Sequence, residues 1–187
     1  MRFNQGFLLF FTALLMFACK APEARRPVKS TGGSFIQESA ERNKAIYEKE
    51  EALIADIMAA NPDVDYLTSD SGFWYFYNIQ DTLDVKKPVF GDVVTFSYDI
   101  KSLQGDVILS ETDTGLQTYK VDQSNQDLIS GIRDGVKLMK EGERVTFLFP
   151  SFKAYGYYGI ENKLGTNVPI QSTVTLKSIQ QSQTNSD

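Results

Sequence analysis

Apolar positions along the chain fall into three regimes. Residues Gly6 to Ala18 (GFLLFFTALLMFA) form an almost unbroken apolar run behind Arg2. The run is shorter than the about 20 residues that a spanning helix needs; a basic start before a short apolar block has the form of a secretory signal. A second regime, Ser34 to Ala60, is rich in Glu, Ala, Lys and Ile and contains neither Gly nor Pro. Its rows Ile46, Leu53, Ile57 and Tyr47, Ile54, Met58 step by seven and then four, which is one stripe of a helix. Ser34 with Gln37 offers a capping box and Asn61-Pro62 a stop. The spacing predicts an amphipathic helix over 34–62, whose stripe covers its own domain, pairs with a second copy or meets a partner. Glu41, Glu48, Glu50 and Glu51 are assigned to its solvated face. From Ser71 the period shortens to two. Phe73–Ile79 is an aromatic run, and Val94, Phe96, Tyr98 and Ile100 alternate along Val93–Ile100. Further strands are expected at Val107–Glu111, Tyr119–Val121, Arg144–Phe149 and Thr173–Ile179. Between them Ile129, Ile132, Val136 and Met139 step by three, four and three, a short helix closed by Gly142. Antiparallel strands around one helix make an α+β domain, here over 71–180, with a polar tail at 181–187.

Composition removes most reaction classes. The chain of 187 residues has no histidine and one cysteine. Histidine-based nucleophile systems, histidine general bases and His- or Cys-ligated zinc sites are excluded, as is an internal disulfide. No phosphate-cradling glycine motif occurs, and nothing calls for a cofactor or metal. Asp113, Asp122 and Asp127 lack the order of a calcium loop.

Position explains the lone cysteine. Met16-Phe17-Ala18-Cys19 resembles the lipobox of bacterial lipoproteins, so residues 1–19 read as a lipoprotein signal peptide and Cys19 as the lipidated first residue of the mature chain. Acyl chains there hold a protein on a membrane without a spanning helix. Residues 20–33 (KAPEARRPVKSTGG) read as a flexible linker. Without 1–19 the chain keeps 18 basic against 24 acidic side chains, since Arg2 is the one charge lost, and the formal charge moves from -5 to -6. An acidic body argues against nucleic acid as a partner.

The stretch Leu128 to Val145 (LISGIRDGVKLMKEGERV), then Pro150-Ser151-Phe152-Lys153-Ala154-Tyr155-Gly156, then Val168-Pro169 with Ser172-Thr173-Val174, resembles the FKBP-type peptidyl-prolyl cis-trans isomerases. Gly91-Asp92-Val93-Val94 and the Gly105-Asp106-Val107-Ile108 turn fit the same pattern. With the lipobox and the preceding helix, the whole is similar to the gliding-motility-associated isomerase lipoproteins. The resemblance implies an antiparallel half-barrel sheet wrapped around one short helix, preceded by the N-terminal helix, with a proline-binding hollow between sheet and helix. It implies catalytic roles for Tyr98, Tyr155 and Ile129. Substrate would be lined by Tyr98, Ile108, Leu109, Tyr119, Leu128, Ile129, Ile132, Tyr155, Val168 and Leu176. Tyr119 would form a wall, Leu128 and Ile129 would present backbone groups, and Val168 would close over the proline. Clients would be proline-containing polypeptides, met in the bacterial cell envelope by a protein lipid-anchored to a membrane, the outer one in preference to the inner, and facing the periplasm.

The chain departs from the family pattern at Ile132, where a tryptophan is usual, and at Ile108-Leu109, where Phe-Asp is usual. The expected carboxylate is absent. A non-catalytic FKBP-like chaperone or assembly lipoprotein is the alternative reading, and a structural role for the helix over Ile36–Ala60 a third.

Overall fold

A computed structural model describes residues 32–82, 86–123 and 127–182. Residues up to Ser39 cluster apart from Ala40–Asp187. Of the former, the described residues are the opening turns of helix α1 (Gly32–Ala60), where Phe35 and Ile36 are exposed. The helix starts two residues before Ser34, so the expected start falls inside it. The proposed signal peptide, Cys19 and most of the linker lie outside the described residues. No helix among the described residues is long and apolar enough to cross a membrane.

In the larger unit the strands are β1 (Leu67–Ser69), β2 (Phe73–Ile79), β3 (Val93–Tyr98), β4 (Ile100–Lys101), β5 (Val107–Leu109), β6 (Gln117–Lys120), β7 (Arg144–Phe149) and β8 (Ile170–Gln180). They form one antiparallel sheet in the order β1-β2-β7-β8-β3-β6, with β4 bridging β8 and β5. Two short α-helices, α2 (Glu111–Thr114) and α3 (Ser130–Val136), and a single 3-10 turn at Ser151–Lys153 accompany it. The fold expected from the sequence is present, with local differences. Residues 107–111 split, because Ser110 caps α2 through a reciprocal box with Asp113, a local bond that outcompetes the strand ladder. The long β3 segment breaks at Asp99, and β1, only three residues long, carries too short a pattern to be read from sequence.

Strand β7 shows why the sheet is layered. Almost every residue of it is buried, which no strand with a wet face could show. Val145, Phe147 and Phe149 join Phe73, Ile132, Val136 and Leu176 in the main core over α3. Leu148 points into a second cluster with Ile54 and Leu103, flanked by Ile57, Met58 and Trp74. The stripe of α1 from Ile54 to Met58 therefore covers its own domain. Phe147 and Phe149 stack with centroids 5.4 Å apart, and Phe73 meets them edge-on at 5.8 and 5.2 Å. The helix comes this close to the rings because Gly131 and Gly135 carry no side chain. A Cβ at Gly131 would sit 2.7 Å from the Phe149 ring, and one at Gly135 would sit 2.9 Å from Phe147.

Candidate active site

Five of the ten residues expected to line the hollow sit half-buried on the main core: Tyr98, Ile108, Leu109, Ile129 and Tyr155. Beneath them Leu128, Ile132 and Leu176 are buried, giving an apolar floor below a partly wet rim. Tyr119 does not belong to that rim. Its side chain is 1% exposed, and its hydroxyl accepts the Asp122 N–H at 2.9 Å, so it packs as a core residue with a capped tip. Val168, half-buried, lines a cavity of about 480 Å3 against α1 together with Ile46, Leu53 and Pro169.

The rim is held by backbone bonds. Tyr98 ends β3, and its carbonyl accepts from Thr114 Oγ1 at 2.6 Å. The next residue, Asp99, pins that strand end to β8. Its carboxylate accepts the Thr173 N–H at 2.8 Å and pairs with Lys101 at 2.5 Å, and its carbonyl accepts from Ser172 Oγ at 2.6 Å. Asp99 is 6% exposed, and a carboxylate so placed must be paired to be tolerated. Ile108 and Leu109 reach the rim through β5, where Leu109 lies opposite Ile100. Ile129 immediately precedes α3, extended at ψ 146°, and its carbonyl accepts the first helical bond from Arg133.

Tyr155 stands on a loop that folds back on itself. The N–H groups of Ala154 and Gly156 both donate to the Ser151 carbonyl, at 3.0 and 2.9 Å, and the Tyr155 carbonyl accepts from Tyr158 and Gly159. Gly159 has φ 61°, and a Cβ there would lie 2.2 Å from the Leu164 carbonyl, so only glycine closes this turn. The Asn167 N–H donates to the Gly156 carbonyl at 2.7 Å, tying the return of the loop to its start. Phe152, Tyr157 and Tyr158 are left exposed, Tyr158 at 92%.

Electrostatically the rim is neutral and partly dry. Burial first, and the neighbouring Tyr98 second, hold the Tyr155 hydroxyl well above the usual tyrosine range. Burial alone raises Tyr98. Among the described residues neither hydroxyl is bound to another side chain or backbone group. Two neutral hydroxyls with unspent hydrogen-bonding capacity thus stand together over an apolar floor. Such a site can bind an amide carbonyl; nothing in the rim is poised to take a proton.

One participant was assigned wrongly from sequence. Glu50, placed on the solvated face of the helix, is 5% exposed. Its carboxylate accepts the Ser151 N–H and the Ser151 Oγ–H, each at 2.7 Å. The signal lay in the stripe itself: Glu50 falls four residues after Ile46 and four before Ile54, on the buried face. A second cavity of about 480 Å3 opens beside it, lined by Ile46, Tyr47, Phe152 and Tyr157.

Residues 85–177 match the family model of FKBP-type peptidyl-prolyl cis-trans isomerases. Over 137 residues the chain is 34% identical to the probable FKBP-type peptidyl-prolyl cis-trans isomerase FkpA of Neisseria meningitidis serogroup B. That alignment takes in 73% of this chain and 47% of the relative, so the chain spans about half the length of the curated protein it matches. Among solved structures, a peptidyl-prolyl cis-trans isomerase from Pseudomonas syringae pv. tomato superposes with a TM-score of 0.56 at 23% identity, covering 74% of this chain and 96% of that one. FkpA from Escherichia coli superposes with a TM-score of 0.55 at 20% identity, covering 96% and 84%. At these identities the structures speak for the fold.

Proposed function

Residues 85–177 belong to the FKBP-type peptidyl-prolyl cis-trans isomerases, and from that premise we propose that the protein catalyses X-Pro isomerisation at the rim of Tyr98, Ile108, Leu109, Ile129 and Tyr155. The observation that carries the reading is the pair of unspent hydroxyls, Tyr98 and Tyr155, beside an apolar floor at Ile132 and Leu176. Rotation about the amide meets a barrier of about 18–20 kcal/mol because resonance is lost at the twisted midpoint. No bond breaks and no proton moves. A pocket accelerates it by holding the twisted form better than the planar one, with each ~1.4 kcal/mol worth a factor of ten. In this role a Tyr155 hydroxyl donating to the substrate carbonyl and an apolar seat for the proline ring suffice, which is why a chain without histidine can serve.

The setting is proposed from the sequence alone. Cys19 carries the lipid, residues 20–33 tether the domain, and the protein works on exported, proline-containing clients in the cell envelope, facing the periplasm, as a gliding-motility-associated lipoprotein would. The alternative, a binding module without catalysis, is favoured by Ile108, Leu109 and Ile132, which supply apolar surface without the carboxylate usual in the family.

A proline-limited refolding assay tests the reading. The uncatalysed slow phase lasts tens to hundreds of seconds, and the wild-type protein at micromolar concentration is expected to shorten it. Tyr155→Phe should lose about tenfold in kcat/KM, the worth of one hydrogen bond in the transition state, while unfolding at the same denaturant concentration. Wild-type protein that binds an unfolded client yet leaves the slow phase untouched establishes the non-catalytic alternative.

A further inference from the structure

We infer that Glu50 of α1 is a positioning residue for the isomerisation site, acting through Ser151 on the loop that carries Tyr155. The inference rests on the site proposed above. A carboxylate is rarely buried without a partner, and Glu50, at 5% exposure, has spent both of its oxygens on one residue: Oε2 on the Ser151 N–H and Oε1 on its hydroxyl, at 2.7 Å each. Ser151 in turn holds the loop. Its carbonyl receives the N–H groups of Ala154 and Gly156, which flank Tyr155 on either side, at 3.0 and 2.9 Å. The Gly156 carbonyl receives Asn167 N–H at 2.7 Å, immediately before Val168. One unbroken line of hydrogen bonds thus runs from α1, through the residues on both sides of Tyr155, to the residue before Val168.

Packing holds other parts of the loop: Phe152 meets Tyr47 of α1 edge-on with centroids 5.4 Å apart, and Ala154, Tyr155 and Leu164 lie against the main core. The backbone on either side of Tyr155 is held by the hydrogen bonds, since Gly156 with φ 52° and Gly159 with φ 61° leave it free to move once unbonded. Deeper in α1, Ile54 is fully buried but meets Leu103 and Leu148, in a cluster separate from the main core. The helix therefore meets the loop twice, through the polar contact at Ser151 and the ring contact of Tyr47 with Phe152, and meets β7 separately through Ile54.

The test uses the full chain. Glu50→Ala is expected to lower kcat/KM in the refolding assay about tenfold, the scale of a charge-assisted hydrogen bond, whereas Glu50→Gln, which keeps an acceptor for the Ser151 N–H, should recover most of it. Ile54→Ala should lower the unfolding midpoint and leave kcat/KM unchanged. In the Tyr155→Phe background most of the Glu50→Ala loss should vanish, since the two changes act on one interaction. Amide exchange at Gly156 and Asn167 should quicken in Glu50→Ala while the β7 and β8 amides keep their protection. An equal activity loss in both backgrounds, or an unchanged Gly156 exchange rate, overturns the inference. A wild-type protein inactive in refolding defeats the proposed function instead, and the exchange measurement then decides the coupling by itself.

Discussion

The floor and the rim of the site are built by different physics. Below, Phe73, Phe147, Phe149, Ile132 and Leu176 are wholly buried and interlock at ring distances of 5–6 Å, against a helix whose Gly131 and Gly135 leave no room for a methyl group. Above, Tyr155 rests half-buried on the core in a loop whose Phe152, Tyr157 and Tyr158 are exposed, and a short chain of hydrogen bonds holds the backbone on either side of it. A close-packed interior transmits small volume changes as strain, so the floor should answer to substitution in stability. The rim should answer in rate. The proposed binding of a proline ring, with a chain that must enter and leave, gains from dividing the work this way.

The most severe break of that division comes from below. Phe147→Ala should cost about 3–5 kcal/mol in urea unfolding, the range for emptying a buried aromatic site; a loss under 1 kcal/mol would show that the floor can collapse around the void. Gly131→Ala should follow at about 1–3 kcal/mol from overpacking, since its Cβ meets the Phe149 ring at 2.7 Å and the Lys153 carbonyl at 2.9 Å. It is also the one floor change expected to slow isomerisation, because α3 must shift and Ile129 precedes it.

Alkaline pH probes strand β2. Tyr77 is pushed up to about 12 by burial, then by Glu143 and Tyr75. Below the ordinary value of 10.0 folded and unfolded chains both keep this proton. Above it the unfolded chain releases its proton first and is favoured. Stability should therefore fall as pH rises from about 10 towards 12, and Tyr77→Phe should flatten that part of the curve when denaturation midpoints are measured against pH. Smallest of all, Tyr158→Ser should leave stability within about 0.5 kcal/mol, as surface changes do; a larger drop in the denaturation midpoint would mean that the exposed aromatics brace the loop after all.

Much of this was legible along the chain, and the failures are instructive. The period-two pattern of β3 and the three-four-three steps of Ile129, Ile132, Val136 and Met139 placed the sheet and its helix, since burial on one side imposes a period wherever an element is long enough to show it. Tyr98, Ile129 and Tyr155 were named by likeness to a family, and all three pack half-buried on the main core. Tyr119 was mistaken for a wall residue because an aromatic on a strand reads alike whether it faces a ligand or the core; its 1% exposure and its bond to Asp122 separate the two. Glu50 was mistaken for a solvated charge because the acidic residues of one helix look equivalent along the sequence, and only burial separates Glu50 from the others.

By itself the sequence determined the fold class and the excluded chemistries, because these follow from composition, period and local bonding. Only the tertiary structure decided that Tyr98 and Tyr155 stand side by side, that Tyr119 lies beneath the surface, and that Glu50 reaches Ser151, 101 positions along the chain. Each of those depends on which distant segments the packed sheet brings together, and no local pattern encodes that distance.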